Sequence, residues 1–214
     1  MNSAIIAVFL ALASQAILAT YHTTCYDYFL KKDGCVFSSP ATSQRCPAPT
    51  KDHTDPVHRF NYGPPKAKPN DGHSLQRRYD DNNPSFSVAG GKGACDNYNS
   101  ATDLGVCLWS GAEQKAPTAE SAGWLNGVAK SNCGKTVYVQ RKGDPSTVKY
   151  VKVLDGCSFN TTLTNPGCFE IALTTKLFDE FKPTAKEKKD GLLYGGMTWD
   201  FLNLDGKNPQ NGPN

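Results

Sequence analysis

The sequence predicts a mainly β, disulfide-stapled small barrel with one or two short helices, preceded by a Pro-rich irregular extension. Three observations lead to this expectation. Eight cysteines, an even number, accompany an N-terminal stretch patterned like a secretory leader, the combination that marks a disulfide framework in an exported protein. From about Phe86 to Asp205, glycine turns separate short runs rich in Val, Tyr, Phe, Leu and Trp, which is the punctuation of short strands. Between Thr20 and about Pro84 the chain is instead rich in Pro, Asp, Asn, Lys and Ser, a composition that buries too little apolar surface to offset its chain entropy.

Taken in order, residues 1–19 carry an apolar core from Ala4 to Ala13 and small residues at Ala16 and Ala19. The run is shorter than the roughly 20 residues a membrane span needs and reads as a signal peptide. Residues 20–85 form the Cys-containing extension. Residues 86–206 form the barrel domain, and 207–214 a flexible tail. The extension holds Cys25, Cys35 and Cys46, and the remainder Cys95, Cys107, Cys133, Cys157 and Cys168. Both counts are odd, so four intrachain bridges require at least one between the extension and the domain. Arg77-Arg78 reads either as a dibasic processing site or as a solvated pair.

Within the domain, Val137 and Val139 alternate over 136–140, and Val151 and Val153 share a face over 148–154. Both are strand signals, with 141–146 as the hairpin loop between them. Leu173, Leu177 and Phe181 recur at helical spacing, with Thr174 or Thr175 as cap and Pro183 as stop. Leu192 to Leu202 reads as a closing β segment broken by Gly195-Gly196. Such an assembly of short strands suits a small barrel.

The chemistry available to this domain is narrow. All four histidines, His22, His53, His58 and His73, precede it, which excludes a His-assisted nucleophile built wholly within the barrel. Cys-x-x-Cys pairs are absent from the sequence, so no metal site is expected, and no cofactor either. A carboxylate pair is the remaining acid/base device, and Asp155 with Glu170 is the best candidate. Their structural alternatives are a turn cap for Asp155 and a helix cap or solvated position for Glu170. Trp109, Trp124, Tyr138 and Tyr150 are candidates to line an aromatic binding groove, Trp124 between glycines being the best surface candidate and Trp199 a core residue. Asn160-Thr161-Thr162 is the single glycosylation sequon. A net charge of +3 is too mild for a nucleic-acid footprint, though compatible with retention on an acidic wall polysaccharide.

Several segments resemble, in order, the double-psi β-barrel superfamily of barwin, kiwellins, expansin first domains, loosenins and bacterial RlpA-like proteins, nearest to kiwellins and small fungal barwin-like proteins. They are Gly93-Ala94-Cys95-Asp96, Gly123-Trp124-Leu125-Asn126-Gly127, Cys133-Gly134-Lys135, Val153-Leu154-Asp155-Gly156-Cys157, Phe169-Glu170-Ile171-Ala172-Leu173 and Gly196-Met197-Thr198-Trp199. The resemblance spans roughly 90–202 and implies a six-stranded double-psi β-barrel. It departs from the lytic members in placing Glu170 where they carry Asp, Cys168 where a His precedes it, and Phe86-Ser87-Val88-Ala89-Gly90 where they carry a polar aromatic segment.

The resemblance with these departures implies a secreted, non-enzymatic, monomeric binding protein. Its partner would be an extracellular protein or cell-wall polysaccharide, with neither nucleic acid nor membrane involved once the leader is removed. The alternative is an expansin-like wall-loosening or lytic protein using Asp155 and Glu170.

Overall fold

The computed structural model describes residues 21–47, 80–81 and 83–214. The expected leader, His53, His58, His73 and Arg77-Arg78 lie outside the described residues. In chain order the elements are helix α1 (Thr24–Asp33), strands β1 (Asp80–Asp81), β2 (Ser85–Val88), β3 (Gly91–Lys92), β4 (Asn97–Tyr98), β5 (Gly105–Trp109), β6 (Thr136–Arg141) and β7 (Lys149–Cys157). The single turn α2 (Thr164–Gly167), β8 (Ile171–Thr174), α3 (Thr175–Glu180), α4 (Ala185–Asp190), β9 (Leu192–Leu193) and β10 (Met197–Phe201) complete the chain.

The alternating valines make β6 and β7 an antiparallel hairpin, Val137 opposite Val151 and Tyr138 opposite Tyr150. In the connecting turn the Asp144 carboxylate accepts the Ser146 N–H at 3.1 Å, a short-range bond that fixes the reversal. β10 pairs antiparallel along the other edge of β6, Trp199 opposite Val139. β6 is therefore a central strand with both faces buried from Val137 to Gln140. Beyond β7 the sheet continues through parallel β5, antiparallel β8, parallel β2 and antiparallel β9.

The resulting order, β1-β10-β6-β7-β5-β8-β2-β9, holds eight strands, with β3 and β4 as a separate ribbon. This corrects the expected six-stranded barrel. The end strands β1 and β9 have two residues each and are not paired with one another, so the sheet is not closed. Two-residue edges offer too few backbone groups to zip a seam.

The extension is not irregular throughout. In α1 the buried Cys25 and Phe29 stand four residues apart, which places them on one face. Lys31 and Lys32 in the last turn and Gly34 at φ 74° end the helix favourably. Its buried face meets the core at Phe29, whose ring stacks on Trp124 at 6.0 Å. Trp124 in turn meets Phe201 edge-on at 5.2 Å and Trp199 at 6.1 Å. Cys25 bonds to Cys168, the bridge between extension and domain that the odd cysteine counts require, while Cys35–Cys46 closes a short loop after α1.

The segment 207–214, expected as a flexible tail, is docked. Asn211 Oδ1 accepts the Thr136 N–H at 3.0 Å, Lys135 Nζ donates to the Gly212 carbonyl, and Asn214 N donates to Asn132 Oδ1 at 3.0 Å. The tail supplies two acceptors and a donor that the start of β6 and the adjoining loop otherwise need.

α3 starts at the expected cap, with Thr174 Oγ1 accepting the Leu177 N–H and Leu177, Phe178 and Phe181 buried, but Leu173, expected on the same helical stripe, belongs to β8. α4 was not anticipated. It is nucleated by a capping box in which Thr184 and Glu187 satisfy each other's backbone N–H groups. The buried Glu187 carboxylate also takes the Arg141 guanidinium at 2.9 and 3.2 Å. Arg141 donates further to the Phe181 carbonyl at 3.2 and 3.3 Å, tying β6 to the end of α3 and to α4. This pairing holds the Glu187 carboxyl down at about 2.

Two measurements follow from this packing. Cys25→Ser with Cys168→Ser should lower unfolding free energy in urea by about 4–5 kcal/mol, because the bridge closes a loop of well over a hundred residues. Because the folded-state pKa of Glu187 lies below its unfolded value, its contribution is present above about pH 5 and lost as pH falls toward 2. Urea midpoints should therefore fall over that window in the native chain. Glu187→Gln should be less stable at pH 6 by about 3 kcal/mol and vary less with pH.

Candidate functional site

β5 lies between β7 and β8, with Cys107 registered against Asp155 on one side and Ala172 on the other. Asp155 and the residue just before β8, Glu170, thus stand on opposite sides of β5. Asp155 belongs to the β3–β4 ribbon's network. Its Oδ1 accepts the Ala94 N–H at 2.6 Å and the Gly156 N–H at 2.8 Å, and its Oδ2 accepts the Tyr98 hydroxyl at 3.0 Å. These donors occupy three of the roughly four acceptor positions of a carboxylate.

Gly93 permits this approach. A Cβ there would stand 2.8 Å from both Asp155 Cγ and Tyr98 Cε1, inside van der Waals contact. Burial first, then the charge of Asp155 and its hydrogen bond, push the Tyr98 hydroxyl up to about 12. Tyr98 therefore stays protonated and donating into the alkaline range, where an ordinary tyrosine ionises. Glu170 is held elsewhere, its Oε1 accepting from Asn83 Nδ2 at 3.1 Å. The two candidate acids are engaged by different partners. The ribbon residues Ala94 and Tyr98 were missed as partners of Asp155, because the contact bridges some sixty residues of sequence that no local pattern encodes.

The expected aromatic groove is corrected. Trp109, Trp124 and Tyr138 are buried, and of the four candidates only Tyr150 is exposed. The glycine beside Trp124 serves packing, since a Cβ on Gly123 would lie 2.4 Å from the Trp109 carbonyl and 2.6 Å from its ring. The tryptophans instead anchor backbone. Trp109 Nε1 donates to Thr161 O at 3.2 Å, Trp124 Nε1 to Cys168 O at 3.0 Å, and Trp199 Nε1 to Phe169 O at 2.9 Å.

These bonds build a rigid loop end. Parallel β5 and β7 finish together, Trp109 beside Cys157, and release the two long connections 110–135 and 158–170. Cys107–Cys157 joins the strands, Cys95–Cys133 pins the first connection, and Cys25–Cys168 pins the second. Helix α1 adds two backbone bonds, Thr24 N to Ala122 O at 2.9 Å and Cys25 N to Gly123 O at 3.0 Å. Inside the first connection Asn126 accepts the Val128 and Ala129 N–H groups, and Asn132 donates to the Trp124 carbonyl at 2.7 Å. The two most exposed large apolar side chains among the described residues, Val128 at 57% and Leu163 at 64%, stand on these two connections. Asn160 of the sequon is exposed on the second, with a positive φ of 53°.

All eight cysteines are thus paired in four disulfides. Among the described residues, no helix is long and apolar enough to cross a membrane, and no three His, Cys, Asp or Glu side chains cluster as a metal site. The molecule is a disulfide-stapled, mainly β protein with an immobilised loop end. No family model and no curated protein matches the chain. Among solved structures it is similar to the Streptomyces papain inhibitor, at 19% identity and a TM-score of 0.34, over 55% of this chain and 86% of the inhibitor. That is a coarse likeness of fold.

The Asp155 network has a spectroscopic test. Asp155→Asn removes the charge near Tyr98 while burial of the phenol remains. The tyrosinate absorbance of that residue should therefore titrate below about 12 yet above the ordinary value of about 10. An unchanged titration would show that burial alone sets it.

Proposed function

We propose that this chain is a secreted, monomeric, non-enzymatic binding protein of barwin or kiwellin type, which engages an extracellular protein through its loop end, as an effector or a protease inhibitor. The observation that carries this reading is the location of Val128 and Leu163 on two connections immobilised by three disulfides. Loops held on a rigid scaffold bind without a large ordering cost, and exposed apolar side chains there gain by burying their surface against a partner. The engagement of Asp155 by three donors weighs against a free general acid or base. The leader-like N-terminus and four disulfides support an extracellular setting.

The test pairs the oxidised protein with extracellular proteins and with a panel of cysteine and serine endopeptidases. Saturable binding or stoichiometric inhibition is expected, weakened about tenfold or more by Leu163→Asp with thermal melting unchanged. Absence of any partner and any inhibition would overturn the proposal. So would Asp155-dependent release of oligosaccharides from chitin, cellulose, pectin or peptidoglycan.

A further inference from the structure

The far end of the sheet differs in character. β7 runs nine residues from Lys149 to Cys157, so its start lies about 26 Å from the loop end at about 3.3 Å per residue. At that start the β6–β7 hairpin, α3 and α4 converge on Arg141. Three carboxylates here are already committed: Glu187 to Arg141, Glu180 to Lys149 at 3.0 Å, and Asp190 to Lys186. The exposed Lys176, Lys182, Lys188 and Lys189 take no ion-pair partner among the described residues. Against them, Asp179 is the one carboxylate of α3 and α4 outside these pairs. Lys176 and Lys182 lie near enough to Glu180 to add to the depression of its carboxyl that the Lys149 bond begins, so several cations share one acid.

An aromatic ring is fixed in the same neighbourhood. Tyr194 follows β9, its hydroxyl donates to Asp190 at 2.6 Å, and Lys186 Nζ lies 4.5 Å from its ring centroid. The residue keeps 38% of its surface exposed. An oriented, half-exposed aromatic on the same helical end that carries uncommitted ammonium groups suits a polymer with sugar rings to stack on and carboxylates to pair. Lysine ammonium groups meet carboxylates as compact point charges and need no bidentate geometry to do so. A bilayer surface is disfavoured because Tyr194 is the one exposed large apolar side chain on α3, α4 or β9 and their connections.

We propose that this end binds a carboxylate-bearing polysaccharide, a polyuronate, with Lys176, Lys182, Lys188 and Lys189 meeting the carboxylates and Tyr194 stacking on a sugar ring. The site is separate from the loop end, so the chain holds an acidic glycan at one end while the other stays free.

Affinity electrophoresis of the full oxidised chain tests this, through gels containing polygalacturonate, a neutral glucan, dextran sulfate or duplex DNA. Retardation by polygalacturonate above all the others is expected, reversed by added salt. Replacing the four lysines by glutamine should weaken it about tenfold or more. Tyr194→Ala should weaken it with thermal melting retained, and Leu163→Asp should leave it unchanged whatever happens at the loop end. Absence of retardation, equal or stronger retardation by dextran sulfate or DNA, or a quadruple variant that binds like the native chain would overturn the assignment.

Discussion

Three indole N–H groups aimed at one stretch of backbone hold this structure together. In the segment from Thr161 to Phe169 the α2 turn serves its own carbonyls, while those of Thr161, Cys168 and Phe169 on either side of it need donors. Trp109, Trp124 and Trp199 are buried in the core, and their N–H groups need acceptors. Each need meets the other. Loss of either side would strand a buried polar group, which costs more than the bond itself contributes. Because Cys168 lies in this segment and is bonded to α1, the same arrangement carries the N-terminal helix onto the core.

Polar contacts divide the molecule into two ends with different rules. At the loop end, sulfur bridges and hydrogen bonds, those of the Asp155 carboxylate among them, do the holding, leaving apolar tips outside. At the hairpin end, a buried charge pair does it. Arg141 meets a carboxylate with its own backbone donors from Thr184 and Tyr194, so both charges are solvated by protein rather than water. The pair organises α3 and α4 while their lysines remain outward.

What was legible in the sequence follows from how far each signal reaches. Val137, Val139, Val151 and Val153 announced the central hairpin because alternation is local. Thr174 and Leu177 announced α3 for the same reason, and parity alone demanded a bridge from the extension. Thr184 and Glu187 carry the capping-box spacing, but no apolar stripe accompanies it to mark α4 as a helix. Two features were not readable. Closure of the sheet depends on edges too short to leave a pattern, as in β1 and β9. Trp124 sits between glycines, which suggested exposure, whereas Gly123 is there to let the chain pass against Trp109. Of the candidate site, Asp155 was found, but its role depends on Ala94 and Tyr98, neighbours only in space.

The burial of Cys25 and Cys168 bears on how the protein meets a reducing compartment. Both residues are fully buried, and thiol exchange requires a thiolate to reach a sulfur directly. A small thiol must wait for α1 to lift from the core before it can attack. The rate of reduction is then scaled by how often that opening motion exposes the sulfurs, on top of the sulfur chemistry itself. Helix packing at Phe29 and Trp124, far more than ambient redox poise, decides how long the oxidised form outlives its own surroundings.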